Sequence, residues 1–508
     1  MPVLGLMLLL LGLLTYAILR RSVAGLTRTP LWLLWSVMMM PAFVWSAWIL
    51  IAGEDRPMPV LLALAPFLIC PPLYLWLVQR GRRKPPRQDA PPSDRLAANL
   101  ATDRPTATVP ETAPEKAPRL LAPEEEKQLR NCFPWSVYYL QHVDQNLQAV
   151  LCRGKLRAAS DEAYRKIAGN IQAEFGDRFL VVFQESLRGE PFFALVPNPR
   201  SRDRLNVEGE QPLNRPGWLV GLLLLTLVTT ANIGWQLAAV FENPATDFSN
   251  TEFTYELLLQ GLPYTLGLMT ILGAKELCHY SVAIAYEIHS TLPYFIPVPI
   301  APGTFGAFVI MRSPIPNRRA LFDVAIAGPL CGFAVTILIL LWGLSLSQAV
   351  PLTEDSTILS INALDPRFSL LLTVFAKLTL GEHFSAGAAI QMHPLAVAGY
   401  VGWIVTALKL IPFGQLNGGN IVHAIYGIRT AAIVGQIARL LLLLLALAEP
   451  WFLAVAIVLF FLPSIGEPAL DDVSELDDLR DAIGLTVLVL LLAMVLPMPQ
   501  VLAQWLNV

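Results

Sequence analysis

Apolar residues along this chain are gathered into long runs separated by short polar or basic stretches, a pattern unlike the 3.6- or 2-residue alternation of a water-soluble core. Runs of about 18 or more nearly uncharged residues match the length needed to cross hydrocarbon. The pattern predicts spans over 3–19, 31–52, 58–79, 217–237, 260–283, 323–346, 394–411, 431–448, 451–466 and 484–505. The pair 431–448 and 451–466, joined at Glu449-Pro450, reads as a tight helical hairpin. The first run has no basic leading region and no small-residue cleavage site. Arg20 and Arg21 follow it, so a retained span is expected in place of a signal peptide.

Between the third and fourth runs the chain changes character. Residues 80–130 begin with Arg80, Arg82, Arg83, Lys84 and Arg87 and continue rich in Pro, Ala, Asp and Glu. That composition buries little apolar area, so a flexible linker is expected. From 131 to 212 the pattern becomes globular. Residues 158–175 space apolar side chains as an amphipathic helix, and 177–186 and 190–199 read as strands around an Arg188-Gly189 turn. With no metal cluster or phosphate loop, this domain suits binding or docking. The expected organisation is N-terminal transmembrane helices over 1–79, a linker over 80–130, a soluble α+β domain over 131–212, and a transmembrane core with C-terminal helices over 213–508.

Composition agrees with a membrane chain: of 508 residues, 55% are hydrophobic and 15% charged, with a formal net charge of -3. No basic stripe with interleaved aromatics is present, so the lipid bilayer is expected as a partner and nucleic acid is not. Arg20, Arg21 and Arg28 and the 80–87 cluster flank spans on one side, which the positive-inside rule makes cytoplasmic. The 131–212 domain then lies inside. Among five cysteines, a Cys132–Cys152 disulfide is one reading and unpaired apolar packing the blander one.

Chemistry concentrates in 267–333 and 407–420. Glu276 and His279 interrupt an apolar run, where an ionisable side chain is expensive and marks a functional candidate. Interfacial placement at a wet helix end is the alternative. Residues 293–308 hold too many prolines and glycines for a spanning helix, Gly303 and Gly306 among them. A re-entrant hairpin or interfacial loop beside the site is expected. Residues 407–420 close a span with Pro412, Gly414, Gly418 and Gly419, a broken helix that turns carbonyls and Asn417 inward.

From Asn131 to about Leu485 the chain resembles the site-2 protease family of intramembrane metalloproteases (peptidase M50-like), particularly its cyanobacterial and plastid branch with a long N-terminal extension. The resemblance implies an all-α polytopic membrane protein with a small α+β soluble domain and a site-2 protease-like core. The family's first motif is His-Glu-x-x-His, where two histidines hold zinc and the glutamate handles the proton of the attacking water. This chain reads Lys275-Glu276-Leu277-Cys278-His279, so lysine stands at the first histidine position. The third family ligand is an aspartate in a segment like L-D-G-G, and Asn417 is its counterpart in Leu416-Asn417-Gly418-Gly419. Lys409 stands where active relatives tend to have asparagine.

Zinc generally takes three imidazole, thiolate or carboxylate ligands in catalytic sites. A protonated lysine repels it, and an amide oxygen is a weak donor. The charges of Lys275 and Glu276 cancel as zinc and two carboxylates do, so an ammonium partly standing in for the cation would preserve packing without hydrolysis. Lys275 could equally snorkel to the interface. Of the other histidines, His142, His383 and His393 fall in the wrong place, and His289 and His423 lie on the correct side, with His423 turned away from Asn417. No cofactor is therefore expected, with zinc as the alternative. The expected function is that of a catalytically inactive homologue in which Glu276 occupies the base position and Lys275, His279 and Asn417 the metal positions, with Lys409 and Gly303, Gly306, Gly414, Gly418 and Gly419 around them. Its partners would be membrane-protein clients or a paralogous protease. An active zinc-dependent endopeptidase and a transporter or channel are the competing readings. The cyanobacterial-like resemblance implies a plasma or thylakoid membrane, and the absence of an obvious Ser/Arg-rich transit segment argues against a plastid-imported precursor. Ala327, Gly328 and Gly332 in 317–333 predict close helix packing.

Overall fold

The computed structural model describes residues 29–52, 120–145, 149–186, 189–198, 216–243, 255–352, 360–385, 387–448 and 468–507, with isolated positions within 12–80 and 455–466. The chain divides into two compact units, Met1–Glu115 with Leu442–Phe460, and Lys116–Leu441 with Phe461–Val508. In the first, α1 (Leu31–Ala52) is apolar on all sides. Trp35 Nε1 donates to Gly12 O at 2.9 Å and its ring meets Phe43 edge to face. The predicted spans 3–19, 58–79 and 451–466 lie outside the described residues, apart from isolated positions.

The second unit opens with a small α+β domain. Helix α2 (Pro123–Asn131) precedes strands β1 (Tyr138–Gln145) and β2 (Val150–Leu156), then helix α3 (Ser160–Phe175) and strands β3 (Phe179–Glu185) and β4 (Pro191–Pro197). The sheet order is β1-β2-β4-β3, antiparallel throughout. Helix α3 buries Ala163, Ile167 and Ile171, four residues apart on one stripe, as its spacing predicted. At the centre Phe183 and Phe193 stack with centroids 4.1 Å apart, and Phe133 and Tyr138 close the cluster edge-on.

Three features differ from the sequence expectation. The last residues of the presumed linker form α2, whose Leu129 is fully buried and whose Glu125 pairs with Arg178 at 2.6 Å. Acid-rich composition hid a helix held by one apolar anchor. Strands β1 and β2 were not anticipated, because His142, Asp144, Arg153 and Lys155 blur their alternation. Cys132 and Cys152 are both buried free thiols, so no disulfide joins them.

The membrane core follows as α4 (Pro216–Glu242), the short α5 (Tyr255–Gln260), α6 (Leu262–Ala285), the hairpin β5 (Tyr294–Pro297) and β6 (Thr304–Phe308), and α7 (Arg318–Ser345). After these come β7 (Gln348–Pro351), α8 (Leu370–Leu380), β8 (Ala388–Gln391), α9 (Pro394–Leu410), α10 (Asn417–Ala448), α11 (Asp478–Val495) and α12 (Gln500–Leu506). Among the described residues three helices are long and apolar enough to cross a membrane, or up to five if each bent pair is one span. Helices α6, α7 and α9 pack together through Tyr264, Leu268, Leu340, Ala396 and Trp403. A Cβ at Gly343 would fall 2.2 Å from Ala396 N, and one at Gly399 would fall 2.7 Å from Leu340 Cα. Small residues thus let the α7 and α9 backbones touch, the usual basis of helix association in lipid.

Two predicted spans are redrawn. The run 431–448 is the second half of α10, which starts at Asn417 and is broken where Gly427 takes a non-helical φ of 82°. The run 484–505 is α11 and α12 with a 76° bend between them. Pro497 and Pro499 stand in that bend and supply no backbone N–H to continue a helix. Helix α8 and the β7–β8 pair were not predicted at all, the helix being only 11 residues long.

Candidate functional site

Lys275, Glu276 and His279 project from the second half of α6. Lys275 and Glu276 are each only 4% exposed, although their helix is otherwise apolar. Lys275 Nζ lies 3.4 Å from Glu276 Oε1, so neighbouring residues in the chain pair with each other. Helix α7 makes room for them. A Cβ at Gly332 would lie 3.0 Å from Lys275 Cβ, and one at Gly328 would lie 3.4 Å from His279 Nδ1. The two glycines, one turn apart, are the cradle that admits these side chains between the helices. Cys278 and Cys331 join the same two helices by a disulfide.

Asn417, the first residue of α10, donates its Nδ2 to Ala325 O at 2.6 Å, one turn of α7 before Gly328. The structure therefore brings the two sequence motifs to the same face of α7. Lys409, in the last turn of α9, acts electrostatically on both Lys275 and His279. Gly414, Gly418 and Gly419 form the turn between α9 and α10, where a Cβ at Gly418 would collide with Leu410 O at 1.9 Å.

The hairpin expected over 293–308 is present. Its strands β5 and β6 pair antiparallel, and Tyr264 Oη donates to Pro302 O at 2.6 Å while Thr229 Oγ1 donates to Gly303 O at 2.7 Å. Gly303 has a φ of 90° and faces Thr230 Cα, two reasons no side chain fits there. Tyr264 precedes Lys275 by three turns, roughly 16 Å along the axis. The Pro302–Gly303 tip of the hairpin thus sits beside the first turn of α6, and Gly306 stands in β6. Ile300 and Phe305 of this segment are 65% and 75% exposed.

Sequence reasoning missed the polar lattice where α6 ends and α7 begins. Asp323 accepts from Arg480 Nε at 2.8 Å and Nη2 at 2.7 Å, and also from Tyr286 Oη. Buried Arg318 donates to Ala424 O and Ile425 O at 2.8 and 2.9 Å, satisfying carbonyls just before the Gly427 break. His423 is bonded to Asp472 at 2.8 Å. Residues 470–472 also extend the soluble sheet: Phe183 N donates to Leu470 O at 2.6 Å and Asp472 N to Phe183 O at 2.9 Å. The only signal of this lattice in the sequence was charge flanking apolar runs, which names no partners.

Can this set hold zinc? Among the described residues no three His, Cys, Asp or Glu side chains converge as a metal site would require. Lys275 is committed to Glu276, the Asn417 amide nitrogen to Ala325 O, and His423 to Asp472. What remains is the His279 imidazole and the Asn417 amide oxygen, with Glu276 held by Lys275, which does not make the three-ligand set of catalytic zinc.

Residues 263–448 match Peptidase family M50, and residues 127–203 match the EGY3 middle domain. The chain is 28% identical over 371 residues to "Probable zinc metalloprotease EGY2, chloroplastic" of Arabidopsis thaliana, covering 72% of this chain and 63% of that relative. It is 27% identical to "Probable zinc metalloprotease EGY1, chloroplastic" of the same plant, covering 70% and 67%. Similarity to "Probable zinc metallopeptidase EGY3, chloroplastic" of Arabidopsis thaliana is 25% over 393 residues, covering 73% and 65%. The chain thus spans somewhat under two thirds of the first relative. No solved structure matches. An integral membrane protein with a helical core, a small α+β domain and these motifs, the chain belongs to the M50 peptidase superfamily.

Proposed function

We propose that this chain is a catalytically inactive M50 homologue that binds membrane-protein clients, or regulates an active paralogue, without cleaving them. The observation that carries the reading is the Lys275–Glu276 pair, in which an ammonium group fills the first metal position and engages the carboxylate that would otherwise serve as base. The Asn417 amide, turned to Ala325 O, ties α10 to α7 and supports a scaffold kept for its shape. The β5–β6 hairpin, with Phe305 exposed, offers backbone and apolar surface to an extended client segment. The relatives named above are called chloroplastic, which supports a thylakoid or related membrane. The positive-inside pattern puts the soluble domain on its cytoplasmic or equivalent face.

The competing reading is an active zinc endopeptidase, favoured by the relatives' names and by the retained Glu276 and His279. Elemental analysis separates the two. The unaltered chain, purified in detergent, should carry far less than one zinc per chain, and a Lys275→His, Asn417→Asp double variant should gain it. Near-stoichiometric zinc in the unaltered chain, abolished by His279→Ala, would overturn the inactive reading.

A further inference from the structure

The cluster between α6, α7 and α9 offers more donors and more positive charge than the described residues answer. Lys275 has three N–H donors, and among the described residues Glu276 is its one partner, at 3.4 Å. The buried Nε2 of His279 has no hydrogen-bond partner among the described residues. Glu276 is the one carboxylate among the described residues acting on Lys275, while Lys409, in the last turn of α9 where that helix packs against α6, acts on both Lys275 and His279. Among the described residues no hydrogen bond or ion pair engages the Lys409 ammonium. The Asn417 amide nitrogen, a further donor, is already used. Lys275 is buried and Lys409 half-buried, so two ammonium groups stand against a single acid, and the buried one sits where unanswered charge is strongly disfavoured.

We infer that Lys275, Lys409 and His279 form an anion site that takes one carboxylate, supplied by an acidic side chain within a membrane-spanning client. This rests on the client-binding reading above. A carboxylate matches the imbalance in both respects: it carries a single negative charge, and its two oxygens accept from several donors at once. A phosphate dianion would overshoot the one unbalanced positive charge. A buried aspartate or glutamate in a client span is itself costly in lipid and gains most from such a partner. The site would thereby select clients by an intramembrane acid, a use of the degenerate centre that requires no bond cleavage.

The test uses the full chain in lipid nanodiscs at neutral pH and constant ionic strength, with a fluorescent single-span peptide bearing one central Asp, the same peptide with Asn, and sodium acetate as a free carboxylate. The Asp peptide should bind at least tenfold tighter than the Asn peptide, and acetate should compete with it. Lys409→Gln should abolish the preference, Lys409→Arg should keep it, and Lys127→Gln on the exposed face of α2 should change nothing. Failure of Lys409→Arg to keep the preference would overturn the charge-based assignment. Equal binding of both peptides with no effect of acetate would overturn the anion site while leaving client binding intact. Saturable acetate binding that depends on Lys409, with equal peptide affinities, would overturn the client as the source of the carboxylate. If neither peptide binds, the client reading fails, and a Lys409-dependent rise in thermal midpoint with acetate would still support the anion site.

Discussion

In the soluble domain the interior is aromatic and aliphatic, centred on stacked Phe183 and Phe193, whereas the membrane core buries Lys275, Glu276, Arg318 and His423 among apolar helices. The solvents explain the contrast. Water drives apolar side chains into the soluble core. Between helices in lipid no such force exists, so small residues and specific polar partners decide which faces meet. Gly328 and Gly332 against His279 and Lys275 are that rule at the candidate site. The soluble domain tolerates interchangeable apolar volume, and the core depends on particular pairs.

The largest expected effect tests that dependence. Glu276→Gln leaves the buried Lys275 ammonium unanswered and should cost about 3–5 kcal/mol in an SDS titration of the folded protein in mixed micelles. Replacing both partners, Lys275→Met with Glu276→Leu, should be close to neutral. An equal loss in both variants would erase the distinction between pair and packing. Gly332→Ala places a Cβ 3.0 Å from Lys275 Cβ and should cost about 1–3 kcal/mol by the same measurement. In the soluble domain, Ile167→Val should cost only about 0.5–1.5 kcal/mol, read from the unfolding transition of the full chain.

The smallest effects concern titration outside the membrane. Burial pushes the Cys152 thiol up to about 12, so it should stay unlabelled by maleimide near pH 8 until the domain unfolds. Rapid labelling in the folded state would show that the aromatic core opens. Asp471, where the C-terminal segment meets the soluble sheet, is held above its ordinary 3.8 by burial, against bonds from Ser474 and Val473. A folded value above the unfolded one means its contribution is complete below about pH 3.8 and is lost as pH rises through the folded value. Subtracting the thermal midpoints of Asp471→Asn from those of the unaltered chain should give a difference that changes in that direction, and a flat difference would remove Asp471 from the pH response.

The two regions were also unequally legible. Helices α4, α6, α7 and α9 could be read from apolar runs, and α3, β3 and β4 from period, because each pattern reflects one local environment repeated over many residues. Strands β1 and β2 carry charges on their exposed face, and α2 follows a disorder-like composition, so neither had a clean period. At the candidate site, ionisable residues in an apolar run pointed to Glu276 and His279, and the family resemblance added Lys275 and Asn417. Spacing did not reveal that Asn417 would turn to Ala325 O, that Cys278 would meet Cys331, or that His423 would be bonded to Asp472. Those partners lie between 49 and 92 residues apart in the chain.

The sequence by itself determined that long apolar runs enter a membrane and that a polar domain interrupts them, and the family resemblance pointed to the side chains standing where that family's metal ligands would. The first two follow from side-chain chemistry and local spacing, which do not depend on where other segments go. Only the tertiary structure decided which charges neutralise each other and which donors are left over. Pairing energies in a dry interior fall off with distance and depend on angle, and both are fixed by how α6, α7, α9 and α10 pack.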